Sequence, residues 1–176
     1  NNDKQLKQIK SLSNSNTFTV CTGHQLNLFT GPLYFFYKII DAIKICDQLK
    51  LRYPEYNFVP IYWMASEDHD FKEINFFNLN KTKFEWNINS KGPVGRLKTD
   101  DLSIVFEKLK SFFKNSNDKN LLSLFKSSYL NNKNLSESTL TLVHSLFADY
   151  GLLIIQPDNK NLKNHFKEFF LDEVLN

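Results

Sequence analysis

The feature that most constrains the fold is a nearly continuous apolar run over residues 58–65. A strand that is apolar at almost every position is typical of a sheet covered on both faces, as parallel sheets are. Residues 18–22 are β-prone and alternate in part between apolar and polar side chains, so they predict another strand. These two strands are the start of an α/β chain if a helix joins them.

A helix is predicted between the two strands. Its apolar side chains recur at helical spacing and are Phe36, Ile39, Ile40, Ile43 and Cys46. Pro32 is expected in the first turn, with Thr30 as the N-cap. The helix should end by Tyr53, because the residue before Pro54 is pushed out of the α region. Strand, helix and strand in this order predict a right-handed βαβ unit.

The rest of the chain predicts a short β excursion and further helices. The strands of the excursion are expected at 71–79 and 83–88, and a turn at 92–96. Helices are predicted at 101–113, 119–130, 136–149 and 164–175, and a short buried strand at 152–156. The expected fold class is therefore α/β, with a mainly parallel sheet flanked by helices. Residues 1–16 are a polar lead-in, 17–176 the core, and 80–135 a candidate insertion.

Composition excludes several classes of protein. The 176 residues suffice for one domain with a sizeable core, and 41% hydrophobic with 23% charged residues is typical of a soluble protein. The net charge of +3 is small and Lys is interleaved with acids, so no nucleic-acid partner is expected. No apolar run reaches the roughly 20 residues of a membrane span, and no signal peptide is recognisable.

The cysteines and the chain ends add two expectations. Two cysteines do not make a disulfide framework, so a reduced, cytoplasmic compartment is predicted, and Cys21 is expected to be inert core rather than a nucleophile. The chain has no initiator Met and stops inside an apparent helix, which favours a piece of a longer protein.

A first polar segment follows the first predicted strand and consists of Thr22, Gly23, His24 and Gln25. A strand that turns through Gly into a helix N-terminus presents free N–H groups and positive dipole charge, which suit phosphate or carboxylate. The spacing is neither a dinucleotide fingerprint nor a Walker A loop. The alternative is a tight turn that needs Gly23 and whose amide side chains satisfy the backbone.

A second polar segment follows the apolar run and consists of Glu67, Asp68, His69 and Asp70. On an extended chain Asp68 and Asp70 point to one side, and a carboxylate beside an imidazole can accept a proton or bind an ammonium group. The alternatives are a helix N-cap cluster or a solvated acidic loop. A metal site is disfavoured, because the usual ligand spacing is missing.

Two basic residues are weaker candidates. Lys38 can join the site if it faces the end of the sheet, and Arg96 can meet a phosphate or carboxylate from its Gly-rich turn or serve structure alone. Ligands bind at the carboxyl ends of strands in open parallel sheets. The two polar segments are therefore predicted to form one site.

Taken together, these residues resemble the cysteine ligase family of bacillithiol biosynthesis, from about residue 18 to the end. The motifs that carry the resemblance are Thr22-Gly23-His24-Gln25, residues 29–34 (Phe-Thr-Gly-Pro-Leu-Tyr), Tyr37-Lys38-Ile39, residues 59–63 (Val-Pro-Ile-Tyr-Trp) and Glu67-Asp68-His69-Asp70. Weaker matches are residues 93–96 and the segment from Leu146 to Asp158.

The resemblance implies a Rossmann-like core, similar to class I nucleotidyl-transferring enzymes, and a reaction that joins cysteine to glucosaminyl-malate. It also implies a larger homodimeric enzyme and a C-terminal coiled coil that this chain lacks. Because a carboxylate must be activated before it forms an amide, ATP with Mg²⁺ is the expected cofactor. The expected catalytic residues are Asp68, His69 and Asp70. The expected binding residues are Thr22, Gly23, His24, Gln25, Thr30, Gly31, Lys38, Glu67 and Arg96. The alternatives are a non-catalytic nucleotide- or sugar-binding fragment and a nucleotidyltransferase of another substrate.

Overall fold

A three-stranded parallel sheet with helices packed around it is the centre of the computed structural model, which describes residues 2–113 and 115–176. In chain order the elements are α1 (Asp3–Ser11), β1 (Thr17–His24), α2 (Tyr34–Arg52), β2 (Asn57–Met64), α3 (Phe71–Ile74), β3 (Phe76–Leu79), β4 (Thr82–Glu85), α4 (Leu102–Leu109), α5 (Ser116–Leu130), α6 (Leu135–Phe147), β5 (Leu153–Ile155), α7 (Lys160–His165) and α8 (Lys167–Leu175). Short 3₁₀ turns lie at Leu28–Thr30, Val94–Arg96 and Ala148–Tyr150.

The sheet has the order β1-β2-β5, and both pairings are parallel. β1 and β2 pair along their whole length and end together at His24 and Met64, while β5 pairs with the end of β2. All three strands therefore finish at the same edge of the sheet. The predicted α/β class, with a parallel sheet flanked by helices, is confirmed.

Helix α2 packs on the face of the sheet that carries Tyr62 and Met64. Phe35, Ile39 and Ile43 are buried against these two side chains, and Phe35 meets the Tyr62 ring edge to face at 5.7 Å between centroids. The same apolar core takes in side chains of α4, α5 and α6. The spacing that predicted this helix is confirmed: Phe36 is partly buried against this core, and Phe35, which was not predicted, is buried as well.

The predicted start of this helix and the predicted turn before it are wrong. Gly23 lies inside β1 opposite Trp63 and has no positive φ, because pairing with β2 continues to the end of both strands. Leu33 is the N-cap of α2, without a side-chain hydrogen bond, so Thr30 does not cap the helix. The Thr30 side chain is buried and its hydroxyl donates to the carbonyl of Phe29.

The connection from β1 to α2 is strained. Phe29 and Thr30 have φ of 53° and 69°, a region that residues with a Cβ seldom adopt. The N–H of Phe29 donates to the hydroxyl of Tyr129 at 2.9 Å, and the Phe29 ring lies 5.1 Å from that of Phe125 and 4.6 Å from that of Phe77. Packing from 100 residues further along the chain thus stabilises this conformation.

Other boundaries differ from those predicted. Residues 71–79 begin with α3, because Phe71 and Ile74 are buried at helical spacing, and only the second half is a strand. The antiparallel pairing of β3 with β4 confirms a hairpin. The helix predicted at 136–149 begins at Leu135, and the Asn134 side chain caps it by accepting the N–H of Glu137. The last predicted helix is divided into α7 and α8 at Phe166.

The predicted polar lead-in is a packed helix. Asn2 and Gln5 form a capping box at the start of α1. The buried Gln5 amide also donates to the carbonyl of Leu152 at 2.8 Å and contacts His144 Nε2 at 3.0 Å. Segment 80–135, the candidate insertion, packs into the common core, and its status as an insertion stays a prediction. In the part of the chain that the structure describes, no helix has the length and apolarity to cross a bilayer.

Replacing Tyr129 with Phe tests how the strained connection is stabilised. The change leaves the buried N–H of Phe29 without an acceptor, which should lower the free energy of unfolding by about 1–3 kcal/mol. Tyr37→Phe is the matched control, since Tyr37 is 56% exposed, and it should change that free energy by less than about 0.5 kcal/mol. Urea unfolding measures both, and equal effects would contradict the role given to Tyr129.

Candidate functional site

The segments that follow the three strands lie at one edge of the sheet. They are 25–33 after β1, 65–70 after β2 and 156–159 after β5. The segment after β2 contains the second polar segment. The first polar segment is divided: Thr22, Gly23 and His24 are the last residues of β1, and Gln25 alone lies beyond the strand. The segment after β5 contains Asp158, which the sequence analysis did not select as a site residue.

The side-chain amide of Gln25 joins the two polar segments. Its Nε2 donates to Asp68 Oδ2 at 2.9 Å and to Glu73 Oε2 at 2.8 Å. One NH₂ group thus bridges two carboxylates from different elements. The two polar segments lie together as predicted, and the role of each residue in binding or catalysis stays a prediction.

The segment after β2 is a turn and not an extended chain. Asp68 Oδ1 accepts the backbone N–H of Asp70 at 3.0 Å, so the extended chain on which Asp68 and Asp70 would point to one side is not formed. This bond, followed by that from Gln25, lowers the pKa of Asp68, which keeps its carboxylate ionised at neutral pH. His69 and Asp70 have exposed side chains.

His24 is held beside this pair as a neutral ring. Its Nδ1 lies 3.1 Å from the carbonyl oxygen of Gln25 and its ring meets that of Phe35 edge to face at 5.5 Å. A carbonyl can only accept, so Nδ1 carries the proton and Nε2 is the acceptor nitrogen of the neutral ring. Burial lowers the pKa of His24, against the raising effect of that hydrogen bond.

Lys38 faces the end of the sheet. Its Nζ donates to the carbonyl of Gly23 at 2.9 Å and lies 5.1 Å from the centroid of the Tyr34 ring. A cleft of about 330 Å³ is lined by Gly23, His24, Gln25, Lys38 and Ala65. A single cation beside polar donors in this cleft suits a phosphate or carboxylate.

Three predicted binding residues do not line this cleft. Thr22 is half-buried within β1, opposite Tyr62, two residues before the strand ends. Thr30 is buried with its hydroxyl on its neighbour's carbonyl. Gly31 packs on Asn27 and lines a second, larger groove.

The turn at 92–96 supports the segment after β2 through its backbone. The N–H of Val94 donates to the carbonyl of Asp68 at 2.7 Å, and the N–H of Gly95 to that of Ser66 at 2.9 Å. A Cβ on Gly95 would lie 2.6 Å from the Ser66 carbonyl oxygen and closer still to Ser136 Oγ. Only glycine allows this approach, so Gly95 determines where the acidic segment lies.

An ion network next to this turn contains two predicted site residues. Arg96 donates to both carboxylate oxygens of Asp158, at 2.6 and 2.8 Å. Lys163 donates to Asp158 at 2.8 Å and lies 3.7 Å from Glu67 Oε2, too far for a hydrogen bond. Arg96, followed by Lys163, lowers the pKa of Asp158 to about 2. Arg96 is therefore paired with Asp158 while its side chain stays 65% exposed, and its role in binding a ligand stays a prediction.

Asp158, Asn27 and Glu73 are the residues that sequence reasoning missed. Asp158 follows the third strand, and the strand-end rule applied to 152–156 would have found it. Glu73 lay within a predicted strand and carried no signal.

Cys21 is exposed on β1 rather than buried in the core, and partial burial raises the pKa of its thiol. Among the described residues, no group of three or more His, Cys, Asp or Glu side chains could hold a metal ion.

Comparison with known proteins identifies the family. Residues 1–176 match the family model described as the bacillithiol biosynthesis BshC, N-terminal Rossmann-like domain. The chain belongs to this family. The observed parallel sheet is the Rossmann-like architecture that the family's name states.

Curated relatives agree over nearly the whole chain. A protein of Flavobacterium psychrophilum named "Putative cysteine ligase BshC" is 52% identical over 170 residues, 96% of this chain and 32% of the relative. The protein of that name from Flavobacterium johnsoniae is 50% identical over 98% of this chain and 33% of its own length. One from Chloroherpeton thalassium is 30% identical over 97% of this chain. The chain spans about a third of the length of these relatives.

Substitution of Gly95 tests the close approach. Gly95→Ala should lower the free energy of unfolding by about 1–3 kcal/mol, because the added methyl overlaps the Ser66 backbone. Gly23→Ala is the matched control: its Cβ would meet nothing nearer than 3.8 Å, so a change within about 1 kcal/mol is expected. Chemical denaturation measures the free energy of unfolding of both variants, and a similar loss in the two would refute the geometric argument.

The pH dependence of stability tests the ion network. Since folding lowers the pKa of Asp158 to about 2, its contribution is fully present above the unfolded pKa of about 3.9 and is lost as the pH falls through about 2. Asp158→Asn should lower the free energy of unfolding at pH 7 by about 1–2 kcal/mol, a discounted value because Arg96 is largely exposed.

The difference in free energy of unfolding between the wild type and Asp158→Asn should shrink steadily between pH 4 and pH 2. Urea unfolding at several pH values measures it. Asp41→Asn, an exposed position of α2, is the control for removal of a carboxylate. A difference that stays constant down to pH 2 would show that Asp158 contributes by some route other than its charge.

Proposed function

We propose that the full-length protein is a ligase that joins the carboxyl group of cysteine to the amine of glucosaminyl-malate, with ATP as the activating co-substrate. The observation that carries this proposal is the Gln25 amide, which holds Asp68 and Glu73 beside the cleft of His24 and Lys38. The names of the relatives support a cysteine ligase, and a Rossmann-like domain suits nucleotide binding.

Activation is required because a carboxylate is a poor electrophile. In the proposed first step the cysteine carboxylate attacks the α-phosphorus of ATP, and pyrophosphate leaves. In the second the sugar amine attacks the acyl carbon, AMP leaves, and the amine's proton passes to a neighbouring base. Lys38 is the cation suited to the phosphate charge that develops in the first step.

The acidic side of the site is assigned to the amines. Asp68, which stays ionised, binds the cysteine ammonium or accepts the proton released in the second step. His69 and Asp70, which are exposed next to Asp68 in the chain, are proposed to share that proton transfer. Mg²⁺ would arrive with the ATP phosphates, since the described residues offer no cage of their own.

Pyrophosphate–ATP exchange dependent on cysteine, measured on the full-length protein, tests the proposal. The wild type should show exchange, and Asp68→Asn should lower the rate of amide formation by about 10²–10⁴-fold, the range for a lost acid–base group. Asp41→Asn, an exposed carboxylate on α2, should leave the rate unchanged.

Two results would contradict the ligase. One is the absence of both exchange and nucleotide binding in the wild type, which would exclude activation by an adenylate. The other is persistent bacillithiol formation in a folded variant that carries Asp68→Asn, His69→Gln and Asp70→Asn together. That second result would favour a binding module without catalysis in this segment.

A further inference from the structure

A groove of about 670 Å³ lies beside the strand-end site. It runs between the segment 27–33, the β3 strand, the end of α4 and the middle of α5, and its walls are mainly apolar and aromatic. Phe77, Phe113 and Phe125 are among the rings that line it. The polar side chains in its lining are Asn27, Glu73 and Asn78, and none of the described residues that line it is a cation.

Asn27 has a fixed orientation at one end of the groove. Its Nδ2 donates to the backbone carbonyl of Glu73 at 3.2 Å, which leaves Oδ1 as the other end of the amide. A Cβ on Gly31 would lie 2.4 Å from Asn27 Cβ, so the two residues are packed without space. Asn27 Oδ1 is buried and has no donor at hydrogen-bond distance among the described residues, while the Asn27 side chain acts on the neighbouring His24 ring, whose pKa burial lowers and Asn27 raises. A buried acceptor of this kind indicates a missing donor.

Glu73 is common to the groove and the strand-end site. Its Oε2 accepts from Gln25 Nε2, and the same nitrogen donates to Asp68. A ligand group that contacts Glu73 from the groove is therefore separated only by the Gln25 amide from Asp68, the carboxylate assigned to the amines. Glu73 and Asn27 Oδ1 are both acceptors, and their charge complements a primary amine or ammonium group.

The size and walls of the groove indicate what carries that amine. Its volume is within the roughly 300–1,000 Å³ of ligand pockets and exceeds what a single cysteine would fill. Aromatic faces carry negative charge, which suits the C–H groups on one face of a saturated ring such as a pyranose chair. The exposed amide of Asn78 can serve a hydroxyl group.

We propose that this groove binds the pyranose ring of an amino sugar, with the amine held by Glu73 and Asn27. The inference rests on the proposed function, in which a sugar amine must reach an activated carboxyl group at the end of the sheet. It assigns the amine to Glu73 and Asn27, leaving the cleft beside Lys38 to the nucleotide and cysteine. Glu73 becomes the residue that positions the nucleophile.

Binding to the full-length protein, measured by calorimetry without ATP, tests the inference. The probes are glucosaminyl-malate and the same compound with its amine acetylated. Glu73→Gln should weaken binding of the free amine at least tenfold and change binding of the acetylated probe little. Glu168→Gln, an exposed carboxylate on α8, should change neither.

A second pair of variants tests the groove itself while keeping the fold. Leu121, which is 43% exposed, lines the groove, and Leu121→Trp should fill it and weaken binding of both probes at least tenfold. Leu51→Trp is the control, at a position on α2 that is 86% exposed. Unchanged binding in Leu121→Trp or in Glu73→Gln would overturn the inference.

The two proposals can fail separately. A wild type that carries out cysteine-dependent exchange and binds the free amine equally well in both groove variants keeps the ligase and refutes the groove. A wild type without exchange, but with amine binding that depends on Glu73 and Leu121, keeps the groove and refutes the ligase. A wild type that binds neither probe refutes the groove assignment outright.

Discussion

The parallel pairing of β1 with β2 is the constraint on which the site depends. The two strands pair without interruption up to His24 and Met64, so the chain leaves both at the same depth. This brings Gln25 within 2.9 Å of Asp68, although 43 residues separate them. A pairing one residue out of register would exchange the faces of every side chain and remove that bridge.

The site also depends on packing from distant parts of the chain. Phe29 and Thr30 keep a strained backbone because Tyr129 accepts the N–H of Phe29 and rings of α4 and α5 surround it. Gly95 allows the turn at 92–96 to lie against Ser66. The part of the chain after β4 therefore supports the site. Whether segment 80–135 is an insertion stays a prediction.

The strand-end rule predicted the position of the site better than any single motif. It placed two polar segments together, and it would have found Asp158 had it been applied to β5 as well. The local reading of each segment was less accurate. Gly23 proved to be a strand residue, Thr30 no helix cap, and the stretch from Asp68 to Asp70 a turn. Gly23 is a strand residue because backbone hydrogen bonds join β1 to β2 at this position, and the segment around Thr30 has its conformation because of long-range packing.

Local patterns in the sequence determined the α/β class, the order of the first strand, helix and strand, and the family. They did so because apolar periodicity and motif residues act over a few positions. Only the tertiary structure decided that one amide bridges Asp68 and Glu73, that Arg96 and Lys163 neutralise Asp158, and that an aromatic groove meets the site at Glu73. Those contacts join residues from different elements, and their geometry exists only once the sheet and its helices have packed.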